Sequence, residues 1–194
     1  MKTRILQILG VAAVATIGMV SCDTDACKDV VCDNGGICVD GDCVCPDGFG
    51  GVDCATDYCA ELTCENGTEV AASGGCDCVC DAGYEGVSCD TEERAEFIGT
   101  YNVTEACTSG NYTYSITVTT SSTGVTSIII NNFGDYNVNV IATVSGDNLT
   151  IANQTVGGGT FSGSGQINGS ILTITYNVTA GTSSDDCTMT CTKQ

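Results

Sequence analysis

Twelve cysteines crowd residues 27–89 in two sets of six that share one spacing. The first set is Cys27, Cys32, Cys38, Cys43, Cys45 and Cys54; the second is Cys59, Cys64, Cys76, Cys78, Cys80 and Cys89. Each has a Cys-x-Cys pair separated by eight residues from its last cysteine, an Asn-Gly step after its second cysteine (Asn34-Gly35, Asn66-Gly67) and a Gly-aromatic-x-Gly run before its sixth. A segment of about 30 residues buries too little apolar surface to fold on its core alone. An even cysteine count in such a segment therefore reads as a disulfide framework, each cross-link worth about 2–4 kcal/mol. Spacing alone does not choose among the possible pairings. Cys43-Val44-Cys45 and Cys76-Asp77-Cys78-Val79-Cys80 also suit thiolate metal ligation, but the even counts and the absence of histidine favour disulfides.

Residues 1–21 carry Lys2 and Arg4 ahead of an uncharged apolar run from Ile5 to Val20, the pattern of a secretion signal. The run is short for a membrane-spanning helix. It ends in Met19-Val20-Ser21-Cys22, which resembles a bacterial lipobox with Met19 in place of the usual Leu. The resemblance implies cleavage before Cys22 and acylation of that residue, palmitate included, so that the chain meets the membrane through its N-terminal lipid. The alternative is an ordinary cleaved signal, with Cys22 in a disulfide.

Charge and composition exclude several functions. With 24 Asp+Glu against 5 Lys+Arg the net charge is −19, and a nucleic-acid partner is not expected because binding DNA or RNA needs a basic footprint. With no histidine, neither a Ser-His-Asp nor a Cys-His nucleophile system is available. Removing residues 1–21 leaves 3 bases and 24 acids, net −21. Of this, Cys22 to Glu93 holds 18 acids and one Lys (−17), whereas Arg94 to Gln194 holds 6 acids and two bases (−4). The chain divides near residue 93.

The two cysteine sets resemble tandem EGF-like modules, spanning 27–54 and 55–90, after a lipidated N-terminus of 22–26. The resemblance implies the pairs Cys27–Cys38, Cys32–Cys43, Cys45–Cys54, Cys59–Cys76, Cys64–Cys78 and Cys80–Cys89. Only Ala55 to Tyr58 separates the sets, so a short, stiff stalk is expected. Calcium-binding members of that family carry acids before the first cysteine and after the third. Asp23, Asp25 and Asp40 fall near those places, but Ala26 stands where Glu or Gln is usual and the Cys38–Cys43 stretch has no room for the family's aromatic. A solvated acidic surface is the preferred reading, calcium the lesser one, and no other cofactor is expected.

After a linker at 91–94 the composition changes: residues 95–194 include 31 Ser or Thr, with Ile, Val and Tyr as the main apolar types, which is strand composition. Alternation sets Tyr112, Tyr114, Ile116 and Val118 against Thr113, Ser115, Thr117 and Thr119, and recurs at Tyr136, Val138, Val140, Ala142 and Val144 and at Leu172, Ile174, Tyr176 and Val178. Turns at Ser145-Gly146-Asp147-Asn148 and Asn168-Gly169 help delimit eight strands, near 97–105, 112–120, 125–131, 136–144, 148–152, 159–167, 171–179 and 186–192. Eight sequential strands can close on themselves and remove both exposed edges. The expected fold is therefore mostly β: two small disulfide-rich modules, then an eight-stranded antiparallel meander barrel, with an immunoglobulin-like sandwich as the alternative.

The opening Phe97-Ile98-Gly99-Thr100-Tyr101 resembles the first strand of bacterial lipocalin-like domains, with Tyr101 where many members have Trp. A ligand cavity is what that resemblance implies. Antiparallel pairing of the first and last strands would set Cys107 beside Cys187 and Cys191 near Val103; Cys107 then bonds Cys187 or Cys191, Cys107–Cys187 being the chosen pair. Asp185-Asp186 has poor geometry for paired acid–base work, since adjacent strand residues face opposite ways. Gly157-Gly158-Gly159 and Gly163-x-Gly165 lack the following helix of a phosphate cradle and read as a loop and a strand bend. No catalytic residues emerge, and an enzyme is not expected. The functional expectation is a lipid-anchored protein of the bacterial outer membrane, exposed at the cell surface, whose barrel binds a small apolar ligand or a protein or glycan partner. A structural envelope spacer is the alternative, with a carboxylate-dependent hydrolase behind it.

Overall fold

The computed structural model describes residues 25–194. Cys22, Asp23 and the signal segment lie outside the described residues. The first cysteine module contains β1 (Ile37–Val39), β2 (Asp42–Val44) and β3 (Phe49–Gly50), and β4 (Thr56–Asp57) comes directly after it. The second contains β5 (Gly67–Ala72), β6 (Gly75–Cys80) and β7 (Tyr84–Glu85), with β8 (Thr91–Glu92) directly after it. In the first module Cys27 is bonded to Cys38, Cys32 to Cys43 and Cys45 to Cys54. In the second Cys59 is bonded to Cys76, Cys64 to Cys78 and Cys80 to Cys89. Cys54 and Cys89 are fully buried, whereas Val31, Val52 and Val87 stand largely in solvent. Cross-links, with very little apolar core, hold these modules together.

One device joins each module to the next part of the chain. The tail hairpin pairs forward: β3 with β4, then β7 with β8. Tyr58 N–H donates to Gly48 O across the first junction (2.9 Å) and Glu93 N–H to Gly83 O across the second (2.9 Å). Residues 91–94, expected as a linker, are thus paired strand running into a 3₁₀ turn, Glu93–Phe97.

The remaining strands are β9 (Gly99–Cys107), β10 (Gly110–Thr120), β11 (Ser127–Asn131), β12 (Asn139–Ser145), β13 (Asn148–Val156), β14 (Gly159–Asn168), β15 (Ile171–Ala180) and β16 (Ser183–Lys193). They form a closed antiparallel barrel, each paired with its sequence neighbours and β16 with β9. The architecture is the barrel, not the sandwich. Alternation carries over into burial: Ile116, Val118, Val140, Ala142, Val144, Leu172 and Ile174 all point inward and are almost wholly buried. Each of the Ile, Val and Leu side chains contributes about 1.5–3 kcal/mol by leaving water.

The structure corrects the sequence reading in three places. Tyr136 and Val138 precede β12 rather than opening it, because the backbone leaves the ladder at Asn132 (φ 58°) and makes a 3₁₀ turn over Phe133–Asp135. The hairpin between β14 and β15 turns on Gly169 and Ser170, one residue later than the Asn-Gly signal suggests, since Asn168 is still paired with Ile171. The first strand begins at Gly99, because Phe97 belongs to the turn that seals the barrel. The expected bend at Gly163 coincides with a register shift in the facing strand, between Ile151 and Gln154. On its other side, a side chain at Gly163 would meet Thr175 O of β15 at 2.5 Å, so glycine is what lets β14 and β15 approach there.

The β9–β16 register places Cys107 opposite Cys187, and the two are bonded across a sequence separation of 80. Cys191 is opposite Val103, buried and free. Replacing Cys107 and Cys187 together by Ala should lower unfolding free energy by about 4 kcal/mol, the loop entropy released in the unfolded chain. Urea denaturation checks this; a loss below about 1 kcal/mol would mean that the ladder alone, without the cross-link, accounts for closure.

Candidate functional site

The two ends of the barrel differ. At the end reached from the second cysteine module, the 3₁₀ turn Glu93–Phe97 lies across the opening and Phe97 is fully buried. Tyr101 OH donates to Phe97 O (2.8 Å). Arg94 Nη1 donates to three backbone carbonyls, those of Ser121 (2.8 Å), Gly124 (2.9 Å) and Ser127 (3.0 Å), and Arg94 Nε pairs with Glu92 Oε2 (2.8 Å). Glu93 Oε2 accepts Gly146 N–H (3.1 Å) and Lys193 Nζ donates to Glu96 O (2.8 Å). Planar guanidinium geometry suits this task, since one side chain satisfies several carbonyls in the β10–β11 turn.

The opposite end carries the four other turns and is open. A cavity of about 610 Å³ lies there, within the range of small-molecule sites. Tyr136, Val138, Val156, Phe161, Val178 and Ala180 give it an apolar wall; Thr108, Ser109, Ser183, Ser184 and Asp185 form a polar side. The Gly157-Gly158-Gly159 loop borders it. Gly157 has φ +60°, and a side chain there would collide with Val138, so glycine is required for this loop to pass so close to the wall. Asp185 is oriented by Ser109, whose Oγ donates to its Oδ2 and whose backbone N–H donates to Oδ1 (3.1 Å).

Below the mouth, Phe133 meets Tyr176 (4.6 Å) and Phe161 (5.7 Å) edge to face, and Tyr136 at the rim lies tilted 5.8 Å from Phe161. Beside them is a carboxylate that the sequence reading overlooked. Glu105 has the inward parity of Tyr101 and Val103 and is only 4% exposed. Tyr176 OH donates to its Oε1 (2.8 Å), while the buried Tyr114 OH has no hydrogen-bond partner. Burial raises the Glu105 carboxyl above its ordinary 4.5, outweighing the Tyr176 bond and the nearby Tyr114 hydroxyl, and the charges of Asp185 and Asp135 push the same way as burial. Burial likewise pushes the Cys191 thiol up to about 12, so it is no ready nucleophile. Strand parity was the signal that could have exposed Glu105, since it continues the Tyr101, Val103 series.

The other sequence candidates are scattered. Asp25 accepts the backbone N–H of Cys27 (3.1 Å), and Asp40 occupies the β1–β2 turn with φ 53°. For the carboxylate-dependent alternative, two further barrel acids are also far apart, Asp135 in the 3₁₀ turn at the open end and Asp147 in the β12–β13 turn at the sealed end. Asp185 faces the mouth, whereas Asp186 accepts Asn177 Nδ2 (2.8 Å) on the outer face. Among the described residues the one convergence of three metal-ligating types is Glu105, Cys107 and Cys187, and both of its sulfurs are committed to the disulfide. Compared with family models, curated proteins and solved structures, the chain matches none.

Glu105 makes stability depend on pH. The folded protein holds this proton more tightly than the unfolded chain, so the stability contributed is full below 4.5 and declines as pH rises through the higher folded value. Glu105→Gln keeps an acceptor for Tyr176 and removes the charge. It is expected to abolish that decline and to be more stable than the wild type at about pH 8. Urea midpoints between about pH 4 and 8 test this; parallel profiles for the two proteins would refute it.

Proposed function

We propose that the protein is a lipid-anchored bacterial cell-surface binding protein, in which two EGF-like modules raise a lipocalin-like barrel that takes a small apolar ligand in its open mouth. The observation that carries this reading is the 610 Å³ cavity with an apolar wall at the barrel end opposite the seal. Supporting it, the stalk side of the barrel is the end closed by Phe97 and Arg94, so the mouth faces away from the modules. The Met19-Val20-Ser21-Cys22 sequence supports lipid attachment at Cys22, and the acidic, cross-linked modules suit a soluble spacer between membrane and barrel.

The ligand reading is tested with phenylnaphthylamine, a neutral apolar fluorophore, added to the purified ectodomain. Saturable one-site binding is expected, with a dissociation constant on the order of micromolar. Ala180→Trp, at an exposed lining position, should fill the mouth and weaken binding at least about tenfold without changing stability. No saturable binding, or binding indifferent to Ala180→Trp, would turn the reading toward a partner on the outer surface or a structural spacer.

The anchor is tested by mass spectrometry of the mature protein recovered from membranes. The expected first residue is Cys22 carrying acyl chains, and Cys22→Ser should release the protein into the soluble fraction. A mature N-terminus elsewhere, or an unmodified Cys22, would overturn this part of the proposal.

A further inference from the structure

Every basic residue of the barrel and its seal is at the closed end. Among the described residues these bases are Arg94, held by the carbonyls of the β10–β11 turn, and Lys193, whose Nζ is bonded to Glu96 O; Lys28 lies in the first module. The open end has none. Its charged groups are Asp185 on the cavity wall, Asp135 in the rim turn and Asp186 just outside, with Glu105 buried beneath. Burial is what chiefly raises the Tyr136 and Tyr176 hydroxyls and the Glu105 carboxyl, and the Asp185 charge adds to each in the same direction. An apolar recess walled by low-dielectric side chains focuses such a field.

Resting on the reading of the mouth as a ligand site, we infer that this site selects an amphipathic cation, an apolar body bearing a primary ammonium or guanidinium group, over neutral and anionic molecules of the same shape. The apolar body would lie against Val138, Val156 and Val178. The cationic head would lie toward Asp185, where Tyr136 and Phe161 offer aromatic rings to a positive charge. A carboxylate head would meet Asp185 and Asp135 with no base at this end to receive it, and that like-charge juxtaposition rejects anions.

The test displaces phenylnaphthylamine from the purified ectodomain with three molecules sharing one alkyl chain: decylammonium, decanol and decanoate. Decylammonium is expected to compete about tenfold better than decanol, with decanoate weaker still, and about 0.5 M salt should shrink the difference. Asp185→Asn should reduce the ammonium preference about three- to tenfold while leaving decanol unchanged. Should loss of the Ser109 contact destabilise that variant, Asp135→Asn in the exposed rim serves in its place, with a smaller loss expected. Equal competition by all three, or better competition by decanoate, overturns the charge selection while leaving the apolar site intact. Failure of phenylnaphthylamine itself to bind overturns the mouth reading, and the selection falls with it.

Discussion

The hydrogen-bonded ladder between β9 and β16 is the constraint on which the rest of the barrel depends. Without it, the meander would expose two strand edges, each a template for pairing with another chain. With it, strand parity becomes a distinction between inside and outside for all eight strands, and Thr, Ser and Asn occupy the wet face while Ile, Val and Tyr fill the interior. The same register sets Cys107 opposite Cys187. It also gathers alternate turns at each end, so residues as distant in sequence as Ser109, Tyr136, Gly157 and Asp185 come to border one cavity.

Closure leaves two openings, which this chain treats differently. One is sealed by a short 3₁₀ turn whose Arg94 satisfies three carbonyls while Phe97 fills the hole. The other is bordered by the turns at 108–109, 132–138, 157–158 and 181–182, and although the 3₁₀ turn there buries Phe133, an apolar recess stays open beside it. The interior is thus sealed at the end next to the second cysteine module and opens into a recess above packed aromatic rings at the far end, a polarity that no single strand contains. Glu105 sits on the boundary between these regions, close to the aromatic rings and bonded to Tyr176. A buried carboxylate with one hydrogen bond is a costly group to keep, and its cost depends on pH.

The cysteine modules and the barrel solve the same entropic problem by different means. The barrel orders its chain against a continuous apolar interior, whereas the modules leave several valines in water and rely on six cross-links. Forward pairing of β3 with β4 and of β7 with β8 makes each junction a piece of secondary structure. At the second junction this matters for the barrel too, because the Glu93–Phe97 seal begins directly after β8. The second cysteine module and the closed end are continuous through their backbone.

The amino-acid sequence by itself determined the class of fold. Period-two alternation at 112–119 and 171–178, turn residues at regular intervals and an unbroken run of eight strands leave closure as the economical way to protect the edges. Sequence also determined where apolar interior ends and cross-linked module begins, since composition changes sharply near residue 93. Only the tertiary structure decided the site. Tyr136 and Val138 continue an alternating pattern, yet they leave the ladder because Asn132 and Gly134 take left-handed backbone and turn Phe133 inward. Glu105 shares the inward parity of Tyr101 and Val103, but parity does not say what it meets, and Tyr176 comes beside it only once the barrel closes. The physical reason is that alternation is local and survives in one dimension. A cavity and its charge are sums over turns far apart in sequence, and those sums exist only after the ladder closes.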